Sequence, residues 1–316
     1  MIKSMDTSYV IPPVDKNLIK EELTKDKFFR KTNYGNREIY ITTAHESPNI
    51  MREIGRLREI SFGAQGGGSG TDCDIDQYDI APDPHCYKQL FVWDPQDEEI
   101  VGGYRYIIGK DVFMQANGEL LSATADLFHF SDKFLKKYWP YTMELGRSFV
   151  RPEYQPSASL RKGMYSLDNL WDGLGGLAQT MQKDVKYFFG KITMYPQMDK
   201  TAKDYILYFY RKHFPDNEGL VWPREELKIT TDYNELVSIF NANNYKDDYQ
   251  NLLHSVRTKG ETVPPLVNAY MNLSSTMKSF GTSINKHFSD VEETGILVTI
   301  GDIYEEKQKR YMNMSL

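Results

Sequence analysis

Residues 141–154 read YTMELGRSFVRPEY, a β-branched and aromatic run with the look of a strand that nevertheless carries Glu144 and Arg147 in its interior. Alternation along a strand places Thr142, Glu144, Gly146 and Ser148 on one side, and Met143, Leu145, Arg147 and Phe149 on the other. Gly146 permits a bulge that resets the phase, so Glu144 need not point away from Arg147. Charge is costly to bury on a strand. The pair is therefore either a structural ion pair or part of a working site, and the two residues alone leave both readings open.

The surroundings bound the choice. A chain of 316 residues with 40% hydrophobic and 13% aromatic side chains can bury a sizeable core, as one large domain or two ordinary ones. No apolar run approaches the roughly 18 residues that span a bilayer, and MIKSMDTSYVIPP lacks the apolar centre of a secretory signal, so a cytoplasmic protein is expected. Cys73 and Cys86 form no CxxC and no Cys/His tetrad, which supports neither a disulfide framework nor a zinc site. The net charge of −6 argues against nucleic acid as a partner. Between Ser131 and Gly163, however, seven basic and three acidic side chains make a local balance of +4. A basic island in an acidic protein suits an anionic partner, or a solvated face.

In chain order, residues 1–36 read as a docking arm with a helical segment from Asp15 to Phe29. Arg37 to Thr43 alternates as a strand. Pro48 to Phe62 is helical, with Arg58 on the apolar side beside Met51, Ile54 and Phe62. The stretch from Gly63 to His85 is too rich in Gly and Asp for regular structure and long enough to be a functional loop. Its glycines lack the GKS or GKT of a phosphate loop; Gln77 and Asp83 stand where a calcium loop needs Gly and Glu. Tyr87–Trp93 and Ile100–Gly109 form a hairpin across DPQDEE. A short helix near Ser131 to Tyr138, a helix from Ser166, a strand Tyr187–Met194 and a helix Asp199–Phe214 complete a core over 37–214. In 215–316, an extension expected to pack on that core within one domain, short helices precede a helix running from Pro265 to Phe280 and a strand Gly295–Ile300.

The pieces LREISFG, DIDQYD, VGGYR and ELGRSFV, in that order, resemble the N-acyltransferases that share the fold of the GCN5-related acetyltransferases. The chain is most similar to the haemolysin-like branch that acylates ornithine or glycine from acyl carrier protein, with the acyl-homoserine-lactone synthases as cousins. The phrase HESPNIMREIGRLREISF and the arm IPPVDKNLIKEEL resemble the glycine-lipid-forming members of Bacteroidetes-type bacteria. The fold implied is α/β: a mixed twisted sheet flanked by helices, its central strands splayed around Glu144, with a C-terminal extension. The acceptor implied is glycine, with ornithine or lysine, or a catalytically silent acyl-chain or carrier-protein binding module, as alternatives. The resemblance further implies a long-chain, 3-hydroxylated acyl group; no bound cofactor or metal is expected, and the aromatic block Tyr205, Tyr208, Phe209 and Tyr210 is read as core packing, with contact at the inner face of the membrane as its alternative. Acetyl-CoA users carry a Q/RxxGxG/A loop; here the region reads PSASLRKGMYSLDN. Acyl carrier protein is thus the expected donor rather than acyl-CoA, its phosphopantetheine phosphate met by Arg151, Arg161 and Lys162.

For the chemistry, Glu144 is the expected base, oriented by Arg147, and backbone N–H groups near Gly146 are the expected oxyanion site. Arg58 or Arg105 would hold the acceptor carboxylate. Phe62, Asp76, Asp79, Gly146 and Ser148 would line the substrate. The bland counterpart is that the arginines, Glu144 and the aspartates form a buried network that only shapes the sheet.

Overall fold

A computed structural model describes residues 8–312. Its centre is a mixed eight-stranded sheet in the order β1-β2-β3-β4-β6-β7-β10-β9. Its strands are β1 (Phe28–Lys31), β2 (Glu38–Thr42), β3 (Lys88–Asp94), β4 (Glu99–Ile108), β6 (Thr142–Val150), β7 (Tyr187–Met194), β9 (Lys278–Asn285) and β10 (Val291–Thr299). Two further short strands, β5 (Phe128–Phe130) and β8 (Val221–Pro223), pair with each other. The helices are α1 (Lys16–Glu22), α2 (Pro48–Gly63), α3 (Asp132–Lys137), α4 (Leu160–Gly163), α5 (Ser166–Thr180), α6 (Lys200–His213), α7 (Tyr233–Ile239), α8 (Tyr245–Thr258), α9 (Pro265–Met271) and α10 (Glu305–Tyr311). None is long and apolar enough, among the described residues, to cross a membrane.

Alternation along the central strands builds two different faces. Leu90, Val92, Val101, Tyr104, Met143 and Leu145 share one core with Leu170, Leu174 and Leu177 of α5. Each such leucine stabilises the fold by about 1.5 to 3 kcal/mol relative to exposure. Phe91, Trp93, Ile100 and Phe149 point the other way and meet Ile54 and Leu57 of α2. The glycines of VGGYR are there because β4 is squeezed between its neighbours. A Cβ at Gly102 would lie 2.4 Å from the Phe149 carbonyl oxygen, and one at Gly103 2.7 Å from that of Leu90.

β6 and β7 run parallel and pair only at Thr142, Met143 and Glu144, against Tyr187, Phe188 and Phe189. Beyond Glu144, β6 continues along β4 while β7 continues along β10. The sheet therefore opens at Glu144. The register of β6 on β4 shifts between the Arg105–Gly146 and Gly103–Phe149 pairs. Arg147, not Gly146, takes the left-handed backbone at this bulge, with φ 48°.

Several elements depart from the sequence expectation. Among the described residues the arm is helical only over α1; Phe28–Lys31 instead forms the edge strand β1. Glu22 at the end of α1 accepts from the backbone N–H groups of Asn49 and Ile50, satisfying two free donors at the start of α2. The helix after Pro264 stops at Met271, and residues expected to extend it enter β9, where Gly281 has φ 83°. β9 and β10 thus lie in the same sheet as residues 28–194. The aromatic block of α6 does not depart and is core: Tyr205, Phe209 and Tyr210 are buried, and Phe209 packs its ring on Phe240 and Tyr249.

Candidate active site

Glu144 lies on the α2 side of the sheet, 1% exposed, at the last residue of β6 that pairs with β7. One carboxylate oxygen accepts from the Thr124 N–H (3.0 Å) and hydroxyl (2.7 Å), the other from the Tyr87 hydroxyl (2.9 Å). Burial pushes its pKa up; the bonds from Thr124 and Tyr87, and the charges of Lys191 and Arg105, pull it back without cancelling the shift. The Tyr87 phenol is raised far above its usual value, by burial first and by Glu144 second, so it stays a donor. A carboxylate in this state is poised to take a proton.

The bulge brings Arg147 to the same side as Glu144, yet the two do not pair. Arg147 Nε lies 2.9 Å from Asp74 Oδ2; both atoms lack a well-aligned hydrogen bond, so this is a charge contact off the N–H axis. Its guanidinium also sits 4.2 Å above the Phe288 ring. The expectation that Arg147 orients Glu144 is therefore corrected: Tyr87 and Thr124 do so.

Arg58 and Arg105 share Asp79. Arg58 donates to Asp79 Oδ2 (2.9 Å) and Gln89 Oε1 (2.6 Å); Arg105 donates to the same Asp79 oxygen (3.1 Å) and to Asp76 (2.7 Å). Burial works to raise the Asp79 pKa, but the two guanidiniums outweigh it and hold it below the usual range. Burial likewise works against the Arg105 charge, and Asp79 and Asp76 more than compensate. Asp74 goes the other way, burial pushing it up despite Arg147. Arg58 and Arg105 are at most 2% exposed, so neither offers its guanidinium to an acceptor carboxylate, contrary to expectation. Three arginines and three aspartates compensate one another and brace the loop after α2 against β3, β4 and β6.

The remaining expected residues divide. Phe62 is buried edge-on to Phe288, 5.2 Å between ring centres, beneath Arg147. Gly146 faces the Arg105 side chain. Ser148 has turned to the α5 side, where it bonds Tyr104, and so does not face Glu144. In the basic island, Arg151 pairs with Glu99 and Glu153, and Lys162 with Asp97 at 2.6 Å. Arg151 and Lys162 thus already have acidic partners, a feature that the expectation of all three cations meeting a phosphate did not include. Arg161 is exposed, between Leu160 (74% exposed) and Met164 (57% exposed).

Four residues escaped the sequence reading. Tyr87 and Thr124 hold Glu144. Lys191, on β7 across the opening, donates to the Ala123 carbonyl (3.2 Å) and pairs with Glu293 at 2.8 Å. Only Lys191 left a trace, as the lone charge inside YFFGKITM.

Comparison with known proteins bears on this geometry. The acetyltransferase (GNAT) domain model matches residues 57–163. A glycine N(alpha)-acyltransferase of Bacteroides thetaiotaomicron is 54% identical over 303 residues, covering 96% of this chain and 89% of that protein. Another, from Phocaeicola vulgatus, is 52% identical over 303 residues, covering 96% and 92%. The crystal structure of the AHL synthase LasI aligns over 51% of this chain and 74% of that one, at 16% identity and a TM-score of 0.33, too distant to carry an argument.

Proposed function

The chain belongs to the family of these glycine N-acyltransferases and is an acyltransferase; from that premise we propose that it transfers a long-chain 3-hydroxyacyl group from acyl carrier protein to the amine of glycine. The observation that carries the reading is Glu144, a buried carboxylate with a raised pKa at the residue where the sheet opens. In the reaction, the glycine ammonium first gives a proton to Glu144. The neutral amine then attacks the thioester carbonyl, the C–N bond forms, the C–S bond breaks, and the departing thiolate takes the second amine proton. The edge of β6 past Glu144, which β7 leaves uncovered, offers backbone N–H groups to the oxyanion. No acyl-enzyme is needed: burial pushes both Cys73 (to about 11) and Cys86 up, away from thiolate.

Two features support a carrier protein as donor. The turn between β6 and α5 lacks the paired small residues of a pyrophosphate loop, and a Cβ at its one glycine, Gly163, would meet the Pro156 backbone nitrogen at 2.4 Å. Arg161, between exposed Leu160 and Met164, suits the phosphate and apolar rim of an acidic helical partner. The exposed side chains of Phe113, Met114 and Leu121 give an amphiphilic product a route to a lipid surface.

The test uses purified protein with 3-hydroxyacyl carrier protein, and separately with acyl-CoA, in the presence of glycine, ornithine or lysine. Free thiol and N-acyl products are read by spectrophotometry and mass spectrometry. Glycine-dependent thiol release and N-acylglycine with the carrier protein are expected. No release of thiol with any of the amino acids would mean a binding module, and ornithine as the preferred acceptor would replace glycine.

A further inference from the structure

An amino acid that reacts at its nitrogen must have its carboxylate held by a cation within one N–Cα–C reach of the base. The arginines of the site are taken up by aspartates. The next cation is Lys191, on the opposite bank of the opening. Phe189 pairs with Glu144, and Lys191, two residues further along β7, points to the same side of the sheet. Its side chain is 11% exposed, and Glu293, beside it, is 6% exposed. A buried ion pair of this kind is no more stabilising than a well-packed apolar pair, so stability alone gives no reason for a lysine there.

One contact says what the lysine is for. The carbonyl of Ala123 accepts from Lys191 Nζ, and the N–H of Thr124 donates to Glu144 Oε1. These two groups belong to a single peptide unit and point in opposite directions along it. A glycine zwitterion has the same layout: oxygen acceptors at one end of a three-atom chain and N–H donors at the other. We infer that glycine binds between Lys191 and Glu144, its carboxylate where the Ala123 carbonyl now sits and its amine where the Thr124 N–H now sits, with residues 122–124 withdrawing as it enters. The ammonium of Lys191 has three donors, so the bond to Glu293 is kept while another donor meets the substrate. The inference rests on the reading of glycine as acceptor.

The test compares glycine with glycinamide, which keeps the amine and lacks the carboxylate. In the Lys191→Met, Glu293→Gln double variant, which leaves no buried charge unpaired, kcat/KM for glycine should fall roughly 10- to 100-fold through KM, as for loss of a charge-assisted hydrogen bond. The rate with glycinamide reports what the loss of the Lys191 charge does to Glu144 and should fall far less, so the preference for glycine collapses, and Lys191→Arg should restore part of it. A merely structural lysine would change both acceptors alike, and a folded double variant with the wild-type glycine to glycinamide ratio overturns the inference. A wild-type enzyme that acylates neither overturns the glycine reading, and this inference with it.

Discussion

Replacing Asp79 by Asn removes one charge and no volume, and the structure sets what that costs. Oδ2 accepts from Arg58 (2.9 Å), Arg105 (3.1 Å) and the Asp76 N–H (3.3 Å), and Oδ1 accepts from Gln89 Nε2 (2.9 Å). Both oxygens face only donors, so whichever way the Asn amide is turned, its NH2 meets a donor. Gln89 cannot flip to help, because its Oε1 holds Arg58 at 2.6 Å. Two buried guanidiniums are left sharing less charge than they carry, a loss of about 3 to 5 kcal/mol. With an unfolding entropy of roughly 2.1 cal/mol/K per residue, 1 kcal/mol moves the Tm of a chain this long by about 1.5 °C, so the drop should be about 5 to 8 °C. Its pH dependence is a second signature. Since the folded pKa of Asp79 lies below its ordinary value, the stability it confers is present above about pH 3.9 and is lost as pH falls through that value toward the folded one. Calorimetric melts of both proteins should thus show a constant gap from neutral pH to about 4 that narrows below it. A drop under about 1 °C, or a gap indifferent to acid, would refute the reasoning.

Glu144→Gln should keep its fold and lose roughly 10² to 10⁴ in turnover, the remaining rate climbing with pH as the acceptor amine neutralises. Because burial raises the Glu144 pKa, wild type loses stability as pH rises through the folded value and the variant does not; its Tm at neutral pH should match or exceed wild type, and an early-melting variant with near-normal turnover would remove the base. Arg161→Glu should raise KM for the carrier protein several-fold and flatten its salt dependence, read in a salt series with glycine saturating, whereas indifference to salt would take Arg161 out of the docking surface. Gly109→Ala should lower Tm by at least as much as Asp79→Asn, since the new Cβ would lie 1.9 Å from the Trp139 carbonyl oxygen and backbone cannot yield; an unchanged melting curve would contradict the packing.

What could be read in the sequence was whatever local spacing dictates. β7 falls on the residues the alternation of YFFGKITM marks out, and α5 begins at Ser166, where its leucine stripe starts. Arg58 could be assigned to the inward face of α2 because helical periodicity needs only one element. β9 was invisible for a physical reason: after the helix start at Pro265, MNLSSTMKSF keeps enough apolar residues at helical spacing to continue it, and only pairing with β10 makes Lys278–Asn285 extended. The bulge was placed at Gly146 because glycine is the residue that most readily bends, whereas Arg147 is held left-handed by its contacts with Asp74 and Phe288. The partners of Glu144 come from the residue just before β3 and from the segment before β5, which no spacing along β6 could reveal. The pairing of Arg151 with Glu99 and of Lys162 with Asp97 was missed likewise, those acids lying on β4 and the β3–β4 turn, although Glu153 stands only two residues from Arg151.

The order of strands also bears on how the chain is made. β7 is joined to the earlier half of the sheet by three residue pairs, while its other edge is covered along its whole length by β10. β7 ends at Met194 and β10 starts at Val291, so a ribosome adding about 5 to 20 residues per second exposes that edge, with Phe188, Phe189 and Ile192 on it, for roughly 5 to 20 s before its partner emerges. Until then the nascent chain presents a long unpaired apolar strand, the form most given to joining another copy. Slow or interrupted translation past residue 194 should send this protein to chaperones or into aggregates, and a chain ending before β10 should be insoluble even though it contains Glu144 and the residues that hold it.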